Sequence, residues 1–297
     1  MEITERPGLA RLLTLEPVGG NLLRAAAEDA PSHPGARLFG GQVAAQALMA
    51  AGHTVPADRA AHSAHGHFLR AGDPRLPVDY RVEEMRAGSS FTTRRVVAEQ
   101  NGAAIFLLTA SFQVEEEGLR HQTPRSAAPD PETLPPAIEA MASAGEPSLS
   151  WFRTFSATFP LDLRFDGELP RVAVARGERR PPKQRFWLRS ARPLGDDALL
   201  HAGAAAFATD VFLLSSSLPP HGLKAGDPGL VFASLDHTVW FHRPFRADEW
   251  FLYDQESFWA DRGRALCRGL IFDREGVLVA TVMQEALVRA PRTRPGP

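Results

Sequence analysis

The chain has 297 residues, 44% hydrophobic and 23% charged, a composition that suits a soluble globular protein and excludes a disordered, collagenous or disulfide-stapled one. Its 33 Lys+Arg against 35 Asp+Glu give a formal net charge of -2, so no global field draws it to nucleic acid or to an anionic membrane. The length fits one large domain or two units of about 150 residues, and composition does not choose between them.

The first ten residues, MEITERPGLA, carry neither the basic start nor the apolar run of a secretory signal, so a cytoplasmic location is the expectation. Gly40-Gly41 opens an Ala-rich helix over 42–51 that stops before Pro56. Strands follow near 62–69, 77–86, 91–99 and 103–114, with Asn101-Gly102 as a hairpin signal. The stretch 115–150 begins with Glu115-Glu116-Glu117 and holds six prolines, which reads as a connector without a packed element. A second irregular stretch, 166–183, precedes a strand at 184–190.

The longest apolar tract, 198–214, reads as one buried helix, started by Gly195-Asp196-Asp197 and ended by Ser215-Ser216-Ser217 and Pro219-Pro220. It is shorter than the roughly 20 residues of a membrane span and is interrupted by His201 and Asp210, so membrane insertion is not expected. Further strands lie near 231–242, 250–259, 264–273 and 276–286, with Arg274-Glu275-Gly276 as a turn. The tail from Ala290, in which Arg and Pro alternate, is expected to be mobile.

A helix followed by about four antiparallel strands thus occurs twice. Phe68-Leu69-Arg70 is echoed by Phe241-His242-Arg243, Arg94–Gly102 has the spacing of Arg268–Gly276, and each half ends on an apolar strand with a glutamine, Gln113 or Gln284. Three matches in the same order point to duplication rather than to generic hairpins. The expected division is an N-terminal repeat 1–114, a Pro-rich connector 115–150 and a C-terminal repeat 151–297.

The motifs Phe39-Gly40-Gly41-Gln42, His62-Ser63 with Phe68-Leu69-Arg70, Gly88-Ser89-Ser90-Phe91 and Ser111-Phe112-Gln113 lie in the first half. Leu235-Asp236-His237 with Trp240-Phe241-His242-Arg243-Pro244, and Gln284-Glu285, lie in the second. Together they resemble the acyl-CoA thioesterase II family over roughly 35–115 and 184–289. The resemblance implies an α+β double hotdog, two repeats each with a central helix wrapped by an antiparallel sheet. It also implies hydrolysis of acyl-CoA, of medium to long chain, to fatty acid and CoA, with no metal or redox cofactor. Chains of the family associate into dimers or tetramers. Two alternatives stay open: a hotdog enoyl-CoA hydratase or dehydratase, and an acyl-CoA binding protein without catalysis.

Asp210 stands out on physical grounds alone, as the one formal charge between Ala198 and Leu214. A buried lone carboxylate is costly, so it must be paired with an arginine or serve as a base. Ser234, at the head of a strand, and Gln284, breaking an apolar one, read by themselves as backbone-satisfying residues. The resemblance assigns all three to catalysis: Asp210 as the base, Ser234 (serine or threonine in the family) and Gln284 as the groups that orient a water for direct attack. Gly40-Gly41-Gln42 is the candidate for oxyanion donors at a helix start. Gln46 and Gln113 are expected to answer Asp210 and Gln284 in a first repeat that has lost its carboxylate, leaving one site per chain. Arg262, Arg264 and Arg268 are candidates for the CoA phosphates.

Other constellations carry less. Cys267 is the sole cysteine, sits in an alternating apolar stretch and reads as core. His62, His65 and His67 lack a Cys or carboxylate at ligand spacing and read as structural. Asp236 and His237, adjacent on a strand, point to opposite faces and read as framework. Gly88-Ser89-Ser90 lacks the second glycine of a hydrolase elbow, because Thr92 stands there.

Overall fold

A computed structural model describes residues 8–27 and 37–290; the Arg/Pro tail read as mobile falls, from 291 on, outside the described residues. The first half contains α1 (Leu9–Leu12), β1 (Glu16–Gly19), β2 (Leu22–Ala25), α2 (Gly40–Gly52), β3 (Arg59–Phe68), β4 (Val78–Ala87), β5 (Phe91–Gln100) and β6 (Ala103–Val114). Next come α3 (Ala137–Ser143), α4 (Ser148–Thr158), β7 (Leu161–Phe165), α5 (Pro170–Ala175) and β8 (Lys183–Ser190). The chain finishes with α6 (Ala198–Thr209), β9 (Val231–Ser234), β10 (Asp236–Phe241), β11 (Phe251–Asp261), β12 (Arg264–Phe272) and β13 (Leu278–Arg289).

The strands form one sheet in the order β1-β2-β4-β5-β6-β3-β10-β13-β12-β11-β8-β7, with β9 also paired to β13. Each half reads outward from the central pair in the same sequence of roles, so β3 answers β10, β6 answers β13 and β2 answers β8. The halves meet where β3 and β10 pair antiparallel, His237 opposite Gly66 and Val239 opposite Ala64. Asn101 and Gly102 take φ 49° and 75°, the left-handed pair that a tight hairpin requires.

The two Ala-rich helices are the core about which the sheet curls. Every residue from Gly41 to Ala51 of α2 is buried, as is Gly203 to Thr209 of α6. Small side chains let the two helices approach closely: a Cβ on Gly203 would stand 2.7 Å from the Met49 sulfur. Asp197 caps α6 as expected, its carboxylate accepting from the Leu199 N–H at 2.9 Å.

Three expectations need correction. The apolar tract does not form one helix to Leu214: α6 ends at Thr209, Asp210 is its C-cap, and Phe212 takes φ 61°, a left-handed turn that breaks the helical ladder. The α-helical part, twelve residues, is about 18 Å long, well short of a bilayer core. The Pro-rich stretch does contain packed elements, since α3 buries Ala137 and Met141. Its prolines do not oppose this, because Pro136 and Pro147 occupy helix N-cap positions where no helical hydrogen bond is lost. Pro170 likewise opens α5 within the stretch read as irregular.

Four histidines share one physical condition. Burial pushes His62, His65, His237 and His242 below the usual imidazole value of 6.5. The unfolded chain therefore takes up protons first as pH falls, so this stability is complete above about pH 6.5 and is lost on the way down through the folded values. Thermal unfolding followed by circular dichroism should show Tm falling by about 5 °C or more between about pH 7.5 and 5.5. A flat Tm over that window would contradict it.

Candidate active site

Asp210 sits where the end of α6 lies beside the start of the antiparallel α2. As the C-cap of α6, its carboxylate stands at the negative end of that helix, where a cation would be preferred. The start of α2 compensates. The Gly41 N–H, one of the donors a helix start leaves free, donates to Asp210 Oδ2 at 2.7 Å. No arginine pairs with Asp210 among the described residues, so the structural ion pair considered from the sequence is not its partner. Gly41 has no room for a side chain: a Cβ there would stand 2.5 Å from the Phe207 carbonyl oxygen, 2.6 Å from the Phe39 ring and 2.9 Å from Asp210 Cβ.

Gln284 ties the site together. It lies fully buried on β13, directly opposite the equally buried Cys267 of β12. Its Nε2 donates to Asp210 Oδ1 at 2.7 Å and to Ser234 Oγ at 3.1 Å. Ser234 is the last residue of β9, next to the break at Leu235 that separates β9 from β10. Asp236 holds that break by accepting from the Glu285 N–H at 2.6 Å, which is the framework role expected of it. All three expected side chains are therefore brought together around one amide nitrogen. Asp210 and Ser234 are only half-buried, so the cluster has an open side.

His237 was missed as a site residue. Asp236 and His237 do point to opposite faces, but the inward one is His237. The pairing of Thr238 with Met283, continued by one residue, sets His237 across from Gln284. Its Nε2 lies 2.8 Å from Thr209 Oγ1. Its Nδ1, like Gln284 Oε1, is buried without a well-directed partner. Burial lowers the imidazole pKa, while the Asp210 carboxylate, the nearby Gln284 amide and Asp236 oppose that shift. Thr209 Oγ1 donates its proton to the Ala206 carbonyl at 2.7 Å, so it accepts from His237, and the proton of a neutral ring would be on Nε2. The sequence signal was there: a titratable residue on the apolar face of a central strand.

The first repeat lacks these groups, though not as expected. Matched through Phe68 and Phe241, the counterparts of His237 and Gln284 are Ala64 and Ala110, which pair with each other. Gln113 is on the other face of β6 from the buried Ala110 and Phe112. Gln46 lies mid-helix, donating to the Leu12 carbonyl at 2.7 Å and accepting from the Tyr80 hydroxyl at 2.7 Å. Both glutamines are structural.

The remaining candidates have partners of their own. His62 is 2.8 Å from Ser111 Oγ, and His65 packs edge-on to Trp240 at 5.1 Å. Burial pushes the Cys267 thiol up, away from the thiolate. Arg264 donates to Glu285 at 2.8 Å, Arg268 is paired with Glu256, and exposed Arg262 is 3.8 Å from Asp261.

From the site, a row of aromatic rings leads outward. Phe39 touches Phe207 and Phe159 at 5.0 and 4.7 Å, and Phe159 stacks on Phe155 at 4.6 Å. Phe155 meets Phe212 at 4.8 Å, and Phe212 meets Trp151 at 5.6 Å. The acyl-CoA thioesterase C-terminal domain matches residues 131–288, and the corresponding N-terminal domain matches 28–113.

The chain belongs to the acyl-CoA thioesterase II family. It is 38% identical over 287 residues to human acyl-coenzyme A thioesterase 8, covering 94% of this chain and 88% of the relative. An acyl-CoA thioesterase II from Mycobacterium marinum superposes with a TM-score of 0.77 at 40% identity, covering 96% of this chain and all of that one. A hotdog-fold protein of unknown function from Alicyclobacillus acidocaldarius superposes at 0.74 with 19% identity, covering 95% and 98%, and shares the fold. The fold is a double hotdog, and this thioesterase is an acyl-CoA thioester hydrolase.

Proposed function

We propose that the thioesterase hydrolyses medium- to long-chain acyl-CoA by direct attack of a water held by Asp210, Ser234 and Gln284. The observation that carries this reading is the convergence of all three side chains on Gln284 Nε2. Both amide protons of Gln284 are engaged by Asp210 and Ser234, so Gln284 holds the water through these two side chains, by fixing where they stand. The water lies between the carboxylate, which takes its proton, and the serine hydroxyl, which orients its oxygen. Hydroxide then attacks the thioester carbon, and the negative charge on the carbonyl oxygen is met by the positive end of α2. The tetrahedral intermediate collapses with cleavage of the carbon–sulfur bond, and the departing CoA sulfur takes the proton from Asp210, which restores the carboxylate. His237, across from Gln284 on the neighbouring strand, backs its amide.

The row of aromatic rings that begins at Phe39 supports the preference for longer chains, since each added methylene can be buried against it for about 0.8 kcal/mol. The same reading divides the chain into repeats 1–114 and 151–297 with 115–150 between them, supported by the mirrored strand order.

Thiol release from acyl-CoA of increasing chain length tests the reading. Turnover should rise from butanoyl to dodecanoyl substrates. Ser234→Thr should stay within about threefold of the parent, and Ser234→Ala should lose about 10- to 100-fold in kcat. Equal rates for Ser234→Ala and the parent would remove the serine from the mechanism. Hydration of an enoyl-CoA without thiol release would replace the reaction altogether.

A further inference from the structure

The C-terminal half has a cleft that the proposed water attack does not use. Its inner end is walled by Phe212, two residues from Asp210, together with Trp151, Leu169 and Gln184. A second, more open hollow of about 320 Å³ shares Trp151, Arg171 and Lys224 with it and also touches Asp227. That is within the size range of small-molecule sites. The inner wall is built firmly: Gln184 Nε2 donates to the Phe212 carbonyl at 2.8 Å, and Gln255 Nε2 donates to the Val211 carbonyl at 2.8 Å. The left-handed φ of Phe212, 61°, is held by these bonds and turns its ring toward Trp151.

Arg171 is the unusual group in this cleft. Its guanidinium lies flat on Trp151, 3.6 Å from the ring centroid. It is half-buried, yet no hydrogen bond or carboxylate within 4 Å engages it among the described residues. The other arginines proposed for anion recognition are paired with carboxylates. Burial lowers the Arg171 pKa to about 10, opposed by Asp227, so it remains charged at neutral pH. Lys224 adds a second cation, balanced by its contact with Asp227, so the net local charge is positive.

We infer that Arg171, assisted by Lys224, is an anion subsite that receives a charged group of the acyl-CoA substrate. A planar guanidinium stacked on an aromatic ring keeps its edge free, and that edge offers two parallel N–H donors to a phosphate or a carboxylate. Two parts of a substrate seated at Asp210 could supply the anion: the phosphates of CoA, or a carboxylate at the far end of the acyl chain. The inference rests on the proposed placement of the thioester at Asp210.

Arg171→Gln, Arg171→Lys and the parent are compared on dodecanoyl-CoA, on the dodecanoyl thioester of N-acetylcysteamine, which has no phosphate, and on dodecanedioyl-CoA. If the subsite takes phosphate, Arg171→Gln raises KM about tenfold for both CoA substrates and leaves the N-acetylcysteamine thioester unchanged. If it takes a terminal carboxylate, the loss of about tenfold in kcat/KM is confined to dodecanedioyl-CoA. Arg171→Lys, which keeps the charge without the fork, falls between. An unchanged or equal effect on all three substrates overturns the inference while leaving hydrolysis at Asp210 standing. Calorimetric binding of a non-hydrolysable dodecyl-CoA thioether, of dodecanedioic acid and of N-acetylcysteamine dodecyl thioether reads the same contrast without turnover. It separates failure of the subsite from failure of the hydrolase reading.

Discussion

Asp210→Asn lowers kcat by about 10³-fold, with KM changed by less than about threefold, because the group proposed to take the water's proton is removed while the walls of the site remain. The substitution preserves size but not the hydrogen-bond pattern. Asp210 accepts on both oxygens, from the Gly41 N–H and from Gln284 Nε2, each at 2.7 Å. An asparagine can accept on one only, and its own NH₂ must then face a donor. That mismatch costs about 1–3 kcal/mol, so a modest fall in Tm should accompany the kinetic loss. Stopped-flow thiol release with both proteins measures the first effect and calorimetry the second. A variant that turned over at the parental rate would place the base elsewhere.

Gly41→Ala has the second large effect, and it works through shape. The added carbon would meet the Phe207 carbonyl oxygen at 2.5 Å and Asp210 Cβ at 2.9 Å. The Phe39 ring, 2.6 Å away, can turn aside, but the carbonyl is backbone of α6 and cannot. The start of α2 must therefore move back, which lengthens the bond from the Gly41 N–H to Asp210. Overpacking of this kind costs about 1–3 kcal/mol, and kcat/KM should fall by about 100-fold or more through the displaced helix start. The same substitution at Gly102, where nothing lies within 4 Å of a Cβ, should leave activity unchanged and register only as turn strain. If Gly41→Ala were as active as the parent, the helix start would not take part in the reaction.

The fold was largely legible because both halves follow simple periodicities. The strands of β3 to β6 and β10 to β13 alternate between buried and exposed positions, and the Ala-rich helices are apolar on every side, as segments enclosed by a sheet must be. The peripheral pieces were hidden for a physical reason. Strands β1, β2 and β7 have four or five residues each, too few to establish a period of two, and α3 to α5 begin at prolines that normally signal irregular chain. The end of α6 was overrun because Val211 to Leu214 are as apolar as the helix before them, and only the backbone turn at Phe212 separates the two.

At the site, Asp210 could be picked out by charge against an apolar background, and Ser234 and Gln284 only by likeness to a family. His237 was set aside by a sound rule applied one step short. Neighbours on a strand do face opposite ways, but that rule alone does not say which of them faces in. The tertiary answer depends on the register of β10 against β13, which no local pattern fixes. Arg171 was equally invisible, since an arginine without a carboxylate partner is defined only by what fails to surround it.

The central claim is that water attacks the thioester directly, with Asp210 as base and no acyl-enzyme. Intact-protein mass spectrometry on samples quenched within the first turnover of dodecanoyl-CoA tests it most directly. The account predicts that the protein keeps its unmodified mass while CoA and dodecanoic acid appear together. A population heavier by one dodecanoyl group, formed with a burst of CoA ahead of the acid, would contradict it.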